Sequence, residues 1–157
     1  MRLAFDLDGT VADMQRALAR EARELFPHLD PATLPKSFNG GEPQSGGDTS
    51  GNGETAAADV STTEALSPRQ MKELWRSVRS RTNWWETLDE IEPGALARLY
   101  EIVQRRRWEV LFITSRPETE GDTAQMQSYR WLAKCGYLTP SIFVVHGLRP
   151  SASARSA

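Results

Sequence analysis

The stretch Leu3-Ala4-Phe5-Asp6-Leu7-Asp8-Gly9-Thr10-Val11 decides the fold. Its first residues are apolar and strand-forming, and they run directly into two carboxylates spaced i, i+2. In a strand that spacing puts both acids on one side as the strand ends, and Gly9 then lets the chain turn sharply. Two carboxylates at the carboxyl end of a buried strand are costly unless a cation sits between them. Mg²⁺ suits the place, because it takes oxygen ligands and keeps several waters or a substrate phosphate. Asp6 and Asp8 are therefore the expected metal ligands. A plain strand end with an Asp-Gly turn is the bland alternative.

Residues 3–11 resemble the first motif of the haloacid dehalogenase superfamily, an apolar strand followed by Asp-x-Asp-Gly-Thr and then Val or Leu, with every position matched. The resemblance implies that Asp6 is the nucleophile that accepts a phosphoryl group as an aspartyl phosphate. It implies that Asp8 protonates the leaving oxygen and then activates water. The chemistry is sound in itself: a carboxylate beside Mg²⁺ attacks phosphorus, and a second carboxyl group two residues on can serve as acid and base.

Composition narrows the substrate and the compartment. The chain has 157 residues, enough for one domain that buries roughly two-thirds of its unfolded surface. Its net charge is −2 and its pI about 5.7, which give no basic field for nucleic acid, so the phosphate is expected on a small molecule. Cys135 is the one cysteine; it forms no internal disulfide and suits a reducing compartment. The amino-terminal apolar run is broken at Asp6, so neither a signal peptide nor a membrane span is expected, and the cytoplasm is the default.

Along the chain, Met14, Leu18, Ala22 and Leu25 recur at helical spacing from Asp13 to Phe26, and Pro27 ends the pattern. From Asn39 to Thr63 six glycines sit among Ser, Thr, Asp and Glu, with Val60 as the one large aliphatic. Such a segment buries too little apolar area to offset an ordering entropy of roughly 1–2 kcal/mol per residue, so 39–63 reads as a disordered insertion. Ser67 with Pro68 starts a second helix, on which Met71, Leu74, Trp75 and Val78 form an apolar stripe before the pair Trp84-Trp85. By the resemblance, residues 14–88 occupy the place of the family's helical cap, nearest its deoxyribonucleotidase-like branch, where cap aromatics stack on a base. Trp84 or Trp85 could do so here, although a tryptophan beside an apolar helix is more often core. A third helix follows Glu92-Pro93-Gly94, with Leu96, Leu99, Tyr100 and Val103 on one face. It ends in Arg105, Arg106 and Arg107, where cations suit a helix carboxyl terminus.

Val110-Leu111-Phe112-Ile113 is a continuous apolar run of the kind found in parallel strands covered on both faces, and it ends in Thr114-Ser115-Arg116. This resembles the family's second motif, an apolar strand closed by a hydroxyl residue that holds the transferring phosphoryl oxygens. Thr114 takes that position, Ser115 is a second donor, and Arg116 is expected to clamp the substrate bidentately. A helix over 123–135, with Met126, Tyr129, Leu132 and Ala133 inward, leads to a third apolar run, Ile142-Phe143-Val144-Val145. Strands alternating with helices predict an α/β fold with a Rossmann-like parallel sheet of about three strands and an inserted helical cap. The expected division is a core over 1–13 and 89–147, the insertion 14–88, and a disordered tail over 148–157. Sites in such sheets lie at the carboxyl ends of the strands, where Asp6, Asp8 and Thr114 converge.

The family pattern continues with a Lys or Arg and then a fourth strand ending in acids that complete the Mg²⁺ site. After Val145 this sequence offers only His146, Arg149 and a Ser/Ala/Arg tail. His146 reads as a turn residue. Without the fourth strand the first becomes an open apolar edge that favours self-association. The expected function is a Mg²⁺-dependent phosphomonoesterase acting on a small-molecule phosphate ester. Two alternatives stay open: a non-catalytic phosphate-binding or interaction protein on the same scaffold, and a gene product cut short.

Overall fold

The computed structural model describes residues 1–28 and 66–145, and the expectations for 39–63, His146, Arg149 and 148–157 lie outside them. Three strands, β1 (Arg2–Asp6), β2 (Glu109–Thr114) and β3 (Ser141–Val144), form one parallel sheet in the order β1-β2-β3. Among the described residues four helices accompany them: α1 (Met14–Leu25), α2 (Pro68–Ser80), α3 (Ala95–Arg106) and α4 (Ala124–Lys134), with a 3-10 turn over Trp84–Thr87. The fold is a mixed α/β arrangement around a parallel sheet, as the alternation of apolar runs and helical stripes predicts.

Register sets the two faces of the sheet. Leu3 pairs with Val110 and Phe5 with Phe112, while Phe112 pairs in turn with Ile142. These side chains turn toward the core, where the Phe5 and Phe112 rings lie 6.2 Å apart and Tyr137 meets Phe112 edge-on at 4.9 Å. On the opposite face Ala4, Leu111 and Phe143 are exposed, Leu111 by 39% and Phe143 by 59%. A continuous apolar run suggests cover on both faces, and among the described residues the sheet is covered on one. Period-2 geometry forces every second residue of such a run outward.

Helix starts are set by their caps. The Ser67 hydroxyl accepts from the Gln70 backbone N–H, and the Gln70 side chain accepts from Ser67 N–H at 2.9 Å, a reciprocal pair that begins α2 with Pro68 at its first position. Leu74, Trp75 and Val78 are buried as the stripe predicts. Helix α4 buries Leu132 as the sequence predicts, but its inward face is shifted: Ala124, Gln127, Ser128 and Trp131 join Leu132, whereas Met126 and Tyr129, expected inward, are 45% and 41% exposed. Polar partners for Gln127 and Ser128 outweigh the apolarity of Met126 and Tyr129. After α4, Gly136 adopts φ 94°, and a Cβ there would lie 2.8 Å from the Ala97 Cβ on α3.

The chain leaves and re-enters the sheet region through a tied pair of segments. Asp13 N–H donates to Asp89 O at 2.9 Å, Ile91 N–H donates to Val11 O at 3.0 Å, and Ala12 bridges Glu90. Between these ties α1 packs on α2, and the buried Glu21 accepts from the Ser77 hydroxyl and from Arg81 Nε. Trp84 and Trp85 are both buried and meet edge-on at 4.8 Å, which is the core role of this pair. Among the described residues no helix is long and apolar enough to cross a membrane.

Candidate functional site

At the carboxyl end of β1 the backbone folds into a closed turn. Val11 and Ala12 N–H groups both donate to Leu7 O, and Gly9 N–H donates to Ala12 O at 3.0 Å, which requires the left-handed φ of 79° that Gly9 supplies. Leu7 is wholly buried beneath this turn. Asp8 is thereby presented to the end of β2. Its Oδ2 accepts from the Thr114 hydroxyl at 2.8 Å. Arg116 Nε donates to Oδ1 at 3.0 Å and to Oδ2 at 3.1 Å, and Arg116 Nη2 donates to Oδ1 at 2.7 Å. Three protons thus reach the roughly four acceptor sites of this carboxylate, the single Nε–H being shared between Oδ1 and Oδ2.

Arg116 is held as firmly as it holds. Its side chain is fully buried in the ion pair with Asp8, whose own side chain is 13% exposed. Nη1 donates to the buried Ser128 hydroxyl at 2.9 Å, and the guanidinium carbon lies 4.8 Å from the Trp85 ring and 5.8 Å from the Trp131 ring. A planar cation against aromatic rings gains cation–π attraction while remaining free to bond in its own plane. The indoles are anchored in turn, Trp85 Nε1 donating to Pro117 O at 2.9 Å and Trp131 Nε1 to Leu88 O at 2.7 Å. Gln127 ties the same layer together, accepting from Trp85 N–H at 3.1 Å and donating to Thr119 Oγ1 at 2.9 Å.

Asp8, Thr114 and Arg116 are thus brought together from two strand ends that lie far apart in sequence. Asp6 is the last residue of β1, two positions before Asp8 and in register with Ile113, with its carboxylate exposed and without a side-chain bond to any described residue. Ser115 is exposed beside Thr114 and is not bonded to the cluster. Among the described residues no three His, Cys, Asp or Glu side chains gather closely enough to hold a metal. The donor chemistry nevertheless suits Mg²⁺ at Asp6: this ion is commonly held by one or two carboxylates, with waters and substrate phosphate completing its shell. Asp8 differs, because each of its side-chain oxygens already receives two hydrogen bonds.

Sequence reasoning passed over Ser128 and Trp131, which contact Arg116, and Gln127, which holds Trp85 beside it. The signal available was the alternative α4 stripe Ala124, Gln127, Ser128, Trp131, which places the largest side chain of the helix inward at the expense of Met126.

Compared with protein-family models and with curated protein sequences, the chain matches none.

Proposed function

We propose that this protein is a Mg²⁺-dependent phosphomonoesterase built on a haloacid-dehalogenase-like scaffold, with 14–88 serving as a helical cap. One observation carries the reading: residues of the two resembling motifs, Asp8 and Thr114, are 106 positions apart in sequence and joined by a 2.8 Å hydrogen bond at adjacent strand ends. An isolated Asp-Gly turn has no reason to meet the hydroxyl that closes another strand.

In this mechanism Asp6 attacks the phosphorus of a small phosphate ester in line with the leaving oxygen, and its carboxylate becomes an aspartyl phosphate. Asp8 enters the cycle protonated, having given up one of the hydrogen bonds it accepts as a carboxylate; it gives the leaving alcohol that proton, then takes one from the water that hydrolyses the acyl phosphate. Ser115 and the backbone N–H groups beside it steady the transferring oxygens, and Thr114 orients Asp8. Bound Mg²⁺ would be held by Asp6 and would neutralise phosphate charge. The same reading puts the protein in the cytoplasm.

The test is inorganic phosphate release from p-nitrophenyl phosphate and a panel of nucleoside monophosphates, with and without Mg²⁺, for the wild-type chain and Asp6→Asn. Turnover that needs both Mg²⁺ and Asp6 is expected; turnover that survives Asp6→Asn sinks the reading. The engagement of both Asp8 oxygens favours a second reading, a non-catalytic phosphate-binding protein. It predicts calorimetric binding of phosphate with no hydrolysis of any ester.

A further inference from the structure

We propose that Arg116 is a positioning residue that aims the Asp8 carboxyl group, and that it does not bind the substrate phosphate. The proposal rests on the phosphomonoesterase reading above and assigns a role within that site.

The argument starts from access. A guanidinium that clamps a phosphate must present two N–H groups to a ligand arriving from solvent. The Arg116 side chain is fully buried, with Nε and Nη2 spent on Asp8 and Nη1 on Ser128. Two tryptophan rings lie within 6 Å of it, and close packing of this kind opposes its swinging out toward solvent. A phosphate could reach it only by dismantling a layer that includes Trp85, Trp131 and Ser128, all of them buried.

What the arrangement does accomplish is to fix Asp8. A lone aspartate on a glycine turn samples several χ1 and χ2 values. Three hydrogen bonds from one planar group, together with the Thr114 hydroxyl, leave it one orientation. Proton transfer to a leaving oxygen depends steeply on such alignment. Esters therefore differ in how much they need Arg116. A p-nitrophenolate leaves without help, whereas an alkoxide needs its proton as the bond to phosphorus breaks.

The experiment compares steady-state hydrolysis of p-nitrophenyl phosphate and of an alkyl phosphate by the wild-type chain, Arg116→Met and Ser128→Ala, with inhibition by inorganic phosphate measured for each. For Arg116→Met the expected result is a fall in kcat of about a hundredfold on the alkyl ester and only a few-fold on the aryl ester, the scale of a lost general acid. KM and the phosphate inhibition constant should be unchanged. Equal losses on both esters with weakened phosphate inhibition would make Arg116 a phosphate ligand and overturn the proposal. Should Arg116→Met fail to fold, Ser128→Ala decides, because it loosens the guanidinium without removing it: a lower alkyl-to-aryl ratio supports the positioning role, and an unchanged ratio overturns it. A wild-type chain that hydrolyses neither ester defeats the phosphomonoesterase reading and this proposal together, whereas activity with the wrong selectivity defeats this proposal alone.

Discussion

The guanidinium of Arg116 stands 4.8 Å from the centre of the Trp85 ring, and the indole N–H of that ring is bonded to Pro117 O, one residue further along the chain. Trp85 therefore supports both the cation at the site and the loop that carries it. Replacing it with Ala removes a fully buried indole and should cost about 3–5 kcal/mol. Trp85→Phe keeps an aromatic face and loses the N–H, leaving Pro117 O without its donor, at about 1–2 kcal/mol. Urea denaturation followed by circular dichroism measures both. Equal midpoints for the two variants would show that the ring and its N–H are not separable contributions.

The sheet was legible because its signals are local. Val110 to Ile113 can be read as a strand without knowing its neighbours, and Ser67 followed by Pro68 marks a helix start unaided. The pairing of the strands follows from their alternation with helices. The inward face of α4 was not legible, because Gln127 and Ser128 are buried only through partners contributed by other segments: Trp85, Thr119 and Arg116. A hydropathy stripe ranks Met126 and Tyr129 above them, and only tertiary contact reverses that order. Arg116 shows the same limit at the site. An arginine after a strand-closing Thr-Ser pair suggests a ligand clamp, and nothing in residues 110–117 tells that two tryptophans from elsewhere enclose it. Asp6 and Asp8 were found together by spacing, yet their surroundings differ, one exposed and unbonded among the described residues, the other bonded at both oxygens.

Glu21 and Arg81 give a prediction about the α1–α2 contact. Glu21 is 6% exposed and accepts from the Ser77 hydroxyl at 2.6 Å and from Arg81 Nε at 3.0 Å. Arg81, held protonated first by its hydrogen bond to Glu21, keeps about half of its side chain in solvent. Arg81→Ala should destabilise the chain more than the loss of an ordinary surface pair does, because it leaves a buried carboxylate with a single donor. Glu21→Gln retains an acceptor for Ser77 and should cost about 1 kcal/mol. The double variant should lose less than the sum, by at least about 0.5 kcal/mol, since removing the charge relieves the orphaned site. Additive losses in a thermal or urea double-mutant cycle would show that the pair is not coupled.

Cys135, which caps the end of α4, gives a prediction about pH. Burial is the first cause that pushes its thiol up from 9.0 to about 11, with the nearby charge of Glu90 adding to it and Lys134 opposing it. The folded chain therefore holds this proton more tightly than the unfolded chain. Folding stability should show no dependence on Cys135 below about pH 9, and should fall as the pH rises from about 9 toward 11, where the unfolded state alone gains the thiolate. Because the thiolate is the nucleophile, iodoacetamide at pH 8.5 should modify the folded chain about a hundredfold more slowly than the urea-unfolded chain, the ratio set by two units of pKa. Cys135→Ala should remove the alkaline component of the stability profile and leave the neutral limb in place. Mass spectrometry of timed alkylation reads the rate directly, and equal rates in folded and unfolded chain would mean that the end of α4 opens to solvent faster than the reagent reacts.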